Sequence, residues 1–238
     1  RHTDPAVGRL LSHVLHSMTK QALLFGATGA VGSQLLELCL ESEKYKKVSV
    51  IARRPATVEH AKLNWIECEY DALHDLAPLP GLAGGDAYCC LGTTIKTAGS
   101  RAKFRLVDHD YVINAAGFAR ACKTRNFVVV SALGADAKSA NFYSRTKGEV
   151  EAALIAENLP SLRIFRPSLL KGKRSEFRLG EEIGNALSVL LTPVFALGLR
   201  KYQPIEIGKL ARAMYQTSTD ESIGDSVRIF ENDELQSF

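Results

Sequence analysis

Gly26-Ala27-Thr28-Gly29-Ala30-Val31-Gly32 follows the apolar run Gln21 to Phe25 and opens an amphipathic stretch from Val31 to Leu40. A buried strand, a glycine turn and a helix make the first half of a dinucleotide-binding βαβ unit. Gly26 permits the tight turn off the strand, Gly29 lets backbone N–H groups approach a diphosphate, and Gly32 lets the helix pack closely. Ala27, Thr28, Ala30 and Val31 complete a turn whose helix presents unpaired donors and a positive dipole end to phosphates. The spacing is G-x-x-G-x-x-G, and an ordinary strand-to-helix turn is compatible with the same letters. The elements that follow decide between the two.

Lys47 to Ala52 reads as a second buried strand ending in Arg53-Arg54-Pro55. At that strand end, about 20 positions past the glycines, dinucleotide folds meet the adenosine ribose with an acid for NAD. Two arginines suit a 2′-phosphate better, so NADP(H) is the expected cofactor and NAD(H) the alternative. Leu63 to Tyr70 reads as a third strand, with Asp71 just past it placed to touch the adenine region or to cap a helix. Asp86 to Leu91 is a fourth, running into Gly92-Thr93-Thr94, and this turn, with Leu91, is expected to line the cofactor groove beyond the strand ends.

A helix is expected from about Ser100 to Cys122, with Phe104, Val107, Tyr111 and Ala115 at helical spacing. Phe127 to Val130 is a fifth strand ending at Ser131, and Arg163 to Phe165 a sixth, closed by Arg166-Pro167. Val227 to Phe230 adds a last one. Strands alternating with helices at this rhythm predict an α/β fold, a doubly wound, mostly parallel sheet of the Rossmann type. Residues 18–238 are expected to form one domain, with 168–238 on the substrate side and 1–17, before Met18, a leader or extension.

The 238 residues, 46% hydrophobic and 24% charged, suit one globular domain, and a net charge of +4 with scattered basic residues gives no nucleic-acid signature. Five cysteines (Cys39, Cys68, Cys89, Cys90, Cys122) lie in apolar runs without metal-ligand spacing, so no metal is expected. Buried thiols in a reducing, cytoplasmic compartment are expected instead. Cys89 and Cys90, adjacent in a strand, should point to opposite faces.

Tyr143 and Lys147 stand four residues apart on a helix expected from Phe142 to Asn158. That spacing puts an ammonium near a phenol, whose free pKa of ~10 it lowers toward general acid/base strength. The landmarks at 26–32, Ser131, Tyr143 with Lys147, and Arg166-Pro167 resemble those of the short-chain dehydrogenase/reductase superfamily, in its atypical or extended branch. More narrowly, Cys89 to Thr94, Val107 to Val112, Gly134-Ala135-Asp136 and Lys147 to Glu151 resemble the Tat-interacting-protein oxidoreductase family and its bacterial relatives.

The resemblance implies an NADPH-dependent oxidoreductase. Tyr143 would exchange the proton of a carbonyl or carbinol, Lys147 would hold the nicotinamide ribose, and Ser131 would hydrogen-bond the substrate oxygen, with Pro167 also at the cofactor. One position departs from the pattern. Where many members carry a helix asparagine that helps a proton relay, this chain has Asp108, with Asn114 further along. Ser131 merely ending a strand, or Asp108 as a surface charge, are the structural alternatives.

Ile183 to Leu199 is a nearly uncharged run interrupted by Pro193, read as helices over an apolar substrate cleft rather than a membrane contact. Gln203 to Ile207 and Leu210 to Met214 resemble the superfamily's late segment. Three functions fit: a reductase or dehydrogenase acting on a small or lipid-like carbonyl, a non-enzymatic NADP-binding sensor with a protein partner, or an NAD-dependent epimerase. Relatives also imply homodimers.

Overall fold

In a computed structural model of the chain, residues 20–172, 200–220, 224 and 226–238 are described. The expected leader at 1–17, Met18 and the apolar run at 183–199 lie outside them. Seven strands form one parallel sheet: β1 (Lys20–Phe25), β2 (Tyr45–Ala52), β3 (Leu63–Glu67), β4 (Asp86–Cys89), β5 (Asn126–Val130), β6 (Ser161–Arg166) and β9 (Val227–Glu231). The short β7 (Leu170–Lys171) and β8 (Ile205–Glu206) pair separately.

The apolar runs become central strands because both faces of the sheet are covered. Along β1, Ala22 and Leu24 pack into one core with Leu35 and Cys39 of α1 (Ala30–Glu41) and with Leu210 and Met214 of α6 (Ile207–Thr219). Leu23 and Phe25 turn the other way, onto Val112 and Ala116 of α4 (Tyr111–Ala121) and Val150 and Leu154 of α5 (Phe142–Ala156). The alternation repeats at Tyr88 against Cys89 and at Val128 against Val129. Cys89 and Cys90 face opposite cores, as the strand period requires, and all five thiols are free.

The strand order is β3-β2-β1-β4-β5-β6-β9. β1 pairs with β2 on one side and β4 on the other, so the chain reverses direction across the sheet there. A parallel sheet leaves a crevice at that reversal, outside the strands' carboxyl ends. At the opposite edge Asp86 is buried and accepts from Tyr45 Oη at 2.6 Å and Asn126 Nδ2 at 2.5 Å. That polar cluster ties β2, β4 and β5 together far from the crevice.

Several boundaries shift by a residue or two, β4 for one ending at Cys89 rather than Leu91, and three differences matter more. β3 stops at Glu67 rather than Tyr70, and β6 extends from Ser161 to Arg166, since pairing with β5 and β9 continues past the Arg163 to Phe165 run. The expected helix over 100–122 is broken in kind. It comprises α3 (Arg101–Arg105), a widened π turn over Leu106–Asp110, and then α4. Neither glycine nor proline marks that turn. It accompanies the burial of Asp108, a carboxylate inside the protein.

Candidate active site

The turn after β1 is built by what it excludes. Gly26 has φ +79, and a Cβ there would stand 2.7 Å from the Cys90 carbonyl, where the end of β4 crosses it. The Gly29 N–H closes the turn onto Gly26 O at 3.0 Å. A Cβ on Gly32 would lie 2.1 Å from the same Gly26 oxygen, so the first turn of α1 is packed on the loop it follows. Gly29 caps α1 with no side-chain partner. The first N–H groups of the helix are thus left to a ligand, the arrangement a diphosphate uses.

A cleft of about 960 Å³ runs from this turn along the carboxyl ends of the strands. Gly26, Thr28, Gly29, Ala30 and Val31 line it; Ala27 and Gly32 do not and serve packing. At one end Arg53 and Arg54 line it with Tyr70 and Tyr111, and the Arg53 guanidinium stands 5.9 Å from the centre of the Tyr70 ring. Asp71 is exposed and outside the lining: its neighbour Tyr70 turns inward onto Tyr111, with ring centres 5.4 Å apart, and takes the place expected of it. Leu91, Gly92, Thr93 and Thr94 line the middle, and Thr94 also caps α2 (Ile95–Ala98) by accepting from Thr97 N.

Tyr143, Lys147, Ser131 and Pro167 meet at the other end. Asn141 caps α5 by accepting from Ser144 N at 3.1 Å, which starts the helix where Tyr143 enters the cleft. The Tyr143 ring packs on Phe104, centres 5.6 Å apart. Lys147, 4% exposed, meets Asp108, 1% exposed, with Nζ to Oδ1 at 2.7 Å. Asp108 Oδ2 accepts from Thr93 N at 2.8 Å. Asp108 is therefore no surface charge, and Asn114 instead donates to the Tyr70 carbonyl at 3.1 Å.

Burial works against the charge on Lys147, but the attraction of Asp108, helped by Tyr143, outweighs it and raises the ammonium's pKa. Burial likewise lifts the Asp108 carboxyl, while Lys147 and the Thr93 N–H pull it back. The pair is read as ionised. Apart from it, the charged residues that line the cleft among the described residues are Arg53, Arg54, Arg101 and Lys103. Such a groove attracts an anionic ligand.

Ser131 is buried and its hydroxyl donates to Glu151, one helical turn beyond Lys147. Glu151 is also gripped by Arg166, through Nε at 3.0 Å and Nη2 at 2.5 Å, and Arg166 reaches Glu231 at 2.8 Å. This network fastens α5 to the ends of β5, β6 and β9. It explains Arg166 and Glu151, which sequence reasoning saw only as part of a resemblance. A serine hydroxyl has one proton, and here Glu151 holds it. Ser131→Ala is accordingly expected to cost ~1–3 kcal/mol of stability, read by denaturant unfolding, with less than about tenfold loss of turnover. A turnover loss matching that of a Tyr143 variant would instead give Ser131 the substrate oxygen.

Glycine cradle, free helix donors, basic groove and a Tyr/Lys helix at one crevice define a dinucleotide-binding protein of the Rossmann class. A family model described as NAD(P)H-binding matches residues 26–179. The chain is 37% identical over 166 residues to protein HTATIP2 of Rattus norvegicus, covering 68% of this chain and 67% of that one. It is 32% identical over 229 residues to FMP52-1 of Scheffersomyces stipitis, a protein named as mitochondrial, covering 90% and 96%. The chain belongs to this NAD(P)H-binding family, in the atypical short-chain dehydrogenase/reductase group of HTATIP2 and FMP52. The Bordetella bronchiseptica enzyme WbmH, solved with NAD+, shares the fold at a TM-score of 0.63 and 19% identity, over 89% of this chain and 75% of that one.

Proposed function

We propose that the protein is an NADP(H)-dependent oxidoreductase that reduces a small or lipid-like carbonyl, or oxidises the corresponding alcohol. The observation that carries this reading is the opening of Tyr143, beside the buried Lys147, into the same cleft as the glycine turn. The glycine turn and the α1 donors would hold the diphosphate, and Arg53 and Arg54 the 2′-phosphate. A bound nicotinamide supplies the hydride. Tyr143 delivers the proton to the carbonyl oxygen and recovers it from solvent, or takes the carbinol proton in the reverse direction, and the Lys147 charge favours the phenolate that forms.

Turnover is tested by NADPH oxidation against a panel of aldehydes and ketones. Steady consumption with at least one class is expected. Tight NADPH binding without consumption across the panel would favour the sensor reading, and NAD retained through purification would favour the epimerase. Cofactor choice is tested separately by replacing Arg53 and Arg54 together with serine. The loss of charge-assisted bonds should raise the Kd for NADPH ~10–100-fold in a fluorescence titration and leave that for NADH nearly unchanged. Equal weakening of both would remove the arginines from the phosphate. Five free thiols fit a reducing compartment, for which we retain the cytoplasm. Import of the native protein into mitochondria would overturn that location.

A further inference from the structure

The Asp108 carboxylate has two oxygens and two different donors. Oδ1 meets the Lys147 ammonium at 2.7 Å and Oδ2 meets the Thr93 backbone N–H at 2.8 Å. One donor comes from the catalytic helix α5 and the other from the turn after β4 that lines the cofactor groove. An asparagine of the same shape would satisfy only one of them, since its NH₂ would then face the other donor. The geometry therefore calls for an acid here. The widened π turn at Leu106–Asp110 is the segment that carries it inward.

We propose that Asp108 is the positioning residue of the Tyr143–Lys147 pair, locking the lysine of the catalytic helix to the Gly92-Thr93 turn and holding its ammonium in place of an asparagine relay. The proposal rests on the oxidoreductase reading. In this role Asp108 acts through Lys147. Among the described residues, the titratable groups acting on Lys147 are Asp108 from the π turn, Tyr143 from its own helix and Cys89 from β4. Burial pushes the Cys89 thiol up to about 12, so it stays neutral and Asp108 is the anion that counts.

The first test needs no turnover. In full-length protein carrying ¹³C-labelled lysine, with the Lys147 signal assigned by its loss in Lys147→Met, the Cε resonance is followed against pH. In the wild type it should stay that of an ammonium into the alkaline range. In Asp108→Asn the buried ammonium loses its anion and should titrate at least about one pH unit lower. An unchanged titration overturns the proposal.

The second test reads catalysis. Without the carboxylate, Lys147 either shows its full charge to Tyr143 or gives up its proton. In the first case the phenol, which must be protonated to act as acid, ionises at lower pH. In the second, loss of the ammonium that turnover needs sets the limb. In both, the alkaline limb of kcat/KM for carbonyl reduction should move to lower pH, by about one unit or more. Asp108→Glu should fall between wild type and Asp108→Asn, and it carries the same comparison if the asparagine variant does not fold. A lower rate on an unmoved limb would make Asp108 a structural residue only and overturn the proposal. Wild-type protein that consumes no NADPH would remove the oxidoreductase reading itself, whereas the resonance titration would still judge the ion pair.

Discussion

Tyr143→Phe is expected to lower kcat for NADPH-dependent carbonyl reduction ~10²–10⁴-fold, the usual contribution of a placed general acid. The substitution removes one oxygen. The ring keeps its packing on Phe104, and the Asn141 cap that starts α5 is untouched. NADPH affinity should thus stay within about a factor of two, since the lost interaction is made only as the proton moves. Lys147 remains buried against Asp108, so the fold around the site has no reason to relax. Stopped-flow or steady-state loss of NADPH absorbance, together with a binding titration on the same protein, separates the two quantities. Unchanged turnover would remove Tyr143 from the proton transfer. Loss of turnover together with loss of binding would show that the variant had damaged the cleft rather than the chemistry.

The parts of this fold that could be read from letters are those with local periodicity. Buried parallel strands must be apolar on both faces, so β1, β2 and β5 appear as short runs rich in Val, Ile, Leu and Phe, and β4 as Ala-Tyr-Cys after Asp86. Helical spacing placed Tyr143 with Lys147, and the glycine turn was legible because each glycine answers a steric need. What stayed hidden was pairwise. Asp108 and Lys147, or Ser131 and Glu151, are brought together only when the sheet orders its strands, and a lone acid on a helix looks the same whether solvated or buried. Asp71 misled because sequence offset locates a strand end only to within a few residues. The structure ends β3 at Glu67 and points Tyr70 inward instead. Tyr70 and Tyr111 were visible only as a strand end and a helical apolar position. Their shared placement at the arginine end of the cleft is tertiary information.

The same pairwise logic gives Gly32→Ala a large expected effect on the glycine turn. The added methyl would begin 2.1 Å from Gly26 O and 2.8 Å from Gly26 C, both backbone, so no side chain can swing aside to admit it. Either α1 moves off the turn or the turn opens, and both displace the free N–H groups that a diphosphate would use. NADPH binding should weaken at least ~100-fold, and overpacking should cost ~1–3 kcal/mol of stability. Gly117→Ala is the matched control. It sits within α4, where a Cβ meets nothing within 4 Å, and there the methyl should stabilise by ~0.5–1 kcal/mol through helix propensity. One methyl group, two helices on opposite faces of one sheet, and opposite signs of effect follow from the backbone each would touch. A Gly32→Ala protein that binds NADPH as the wild type does would show that the diphosphate is held elsewhere, and the cofactor assignment of the glycine turn would go with it.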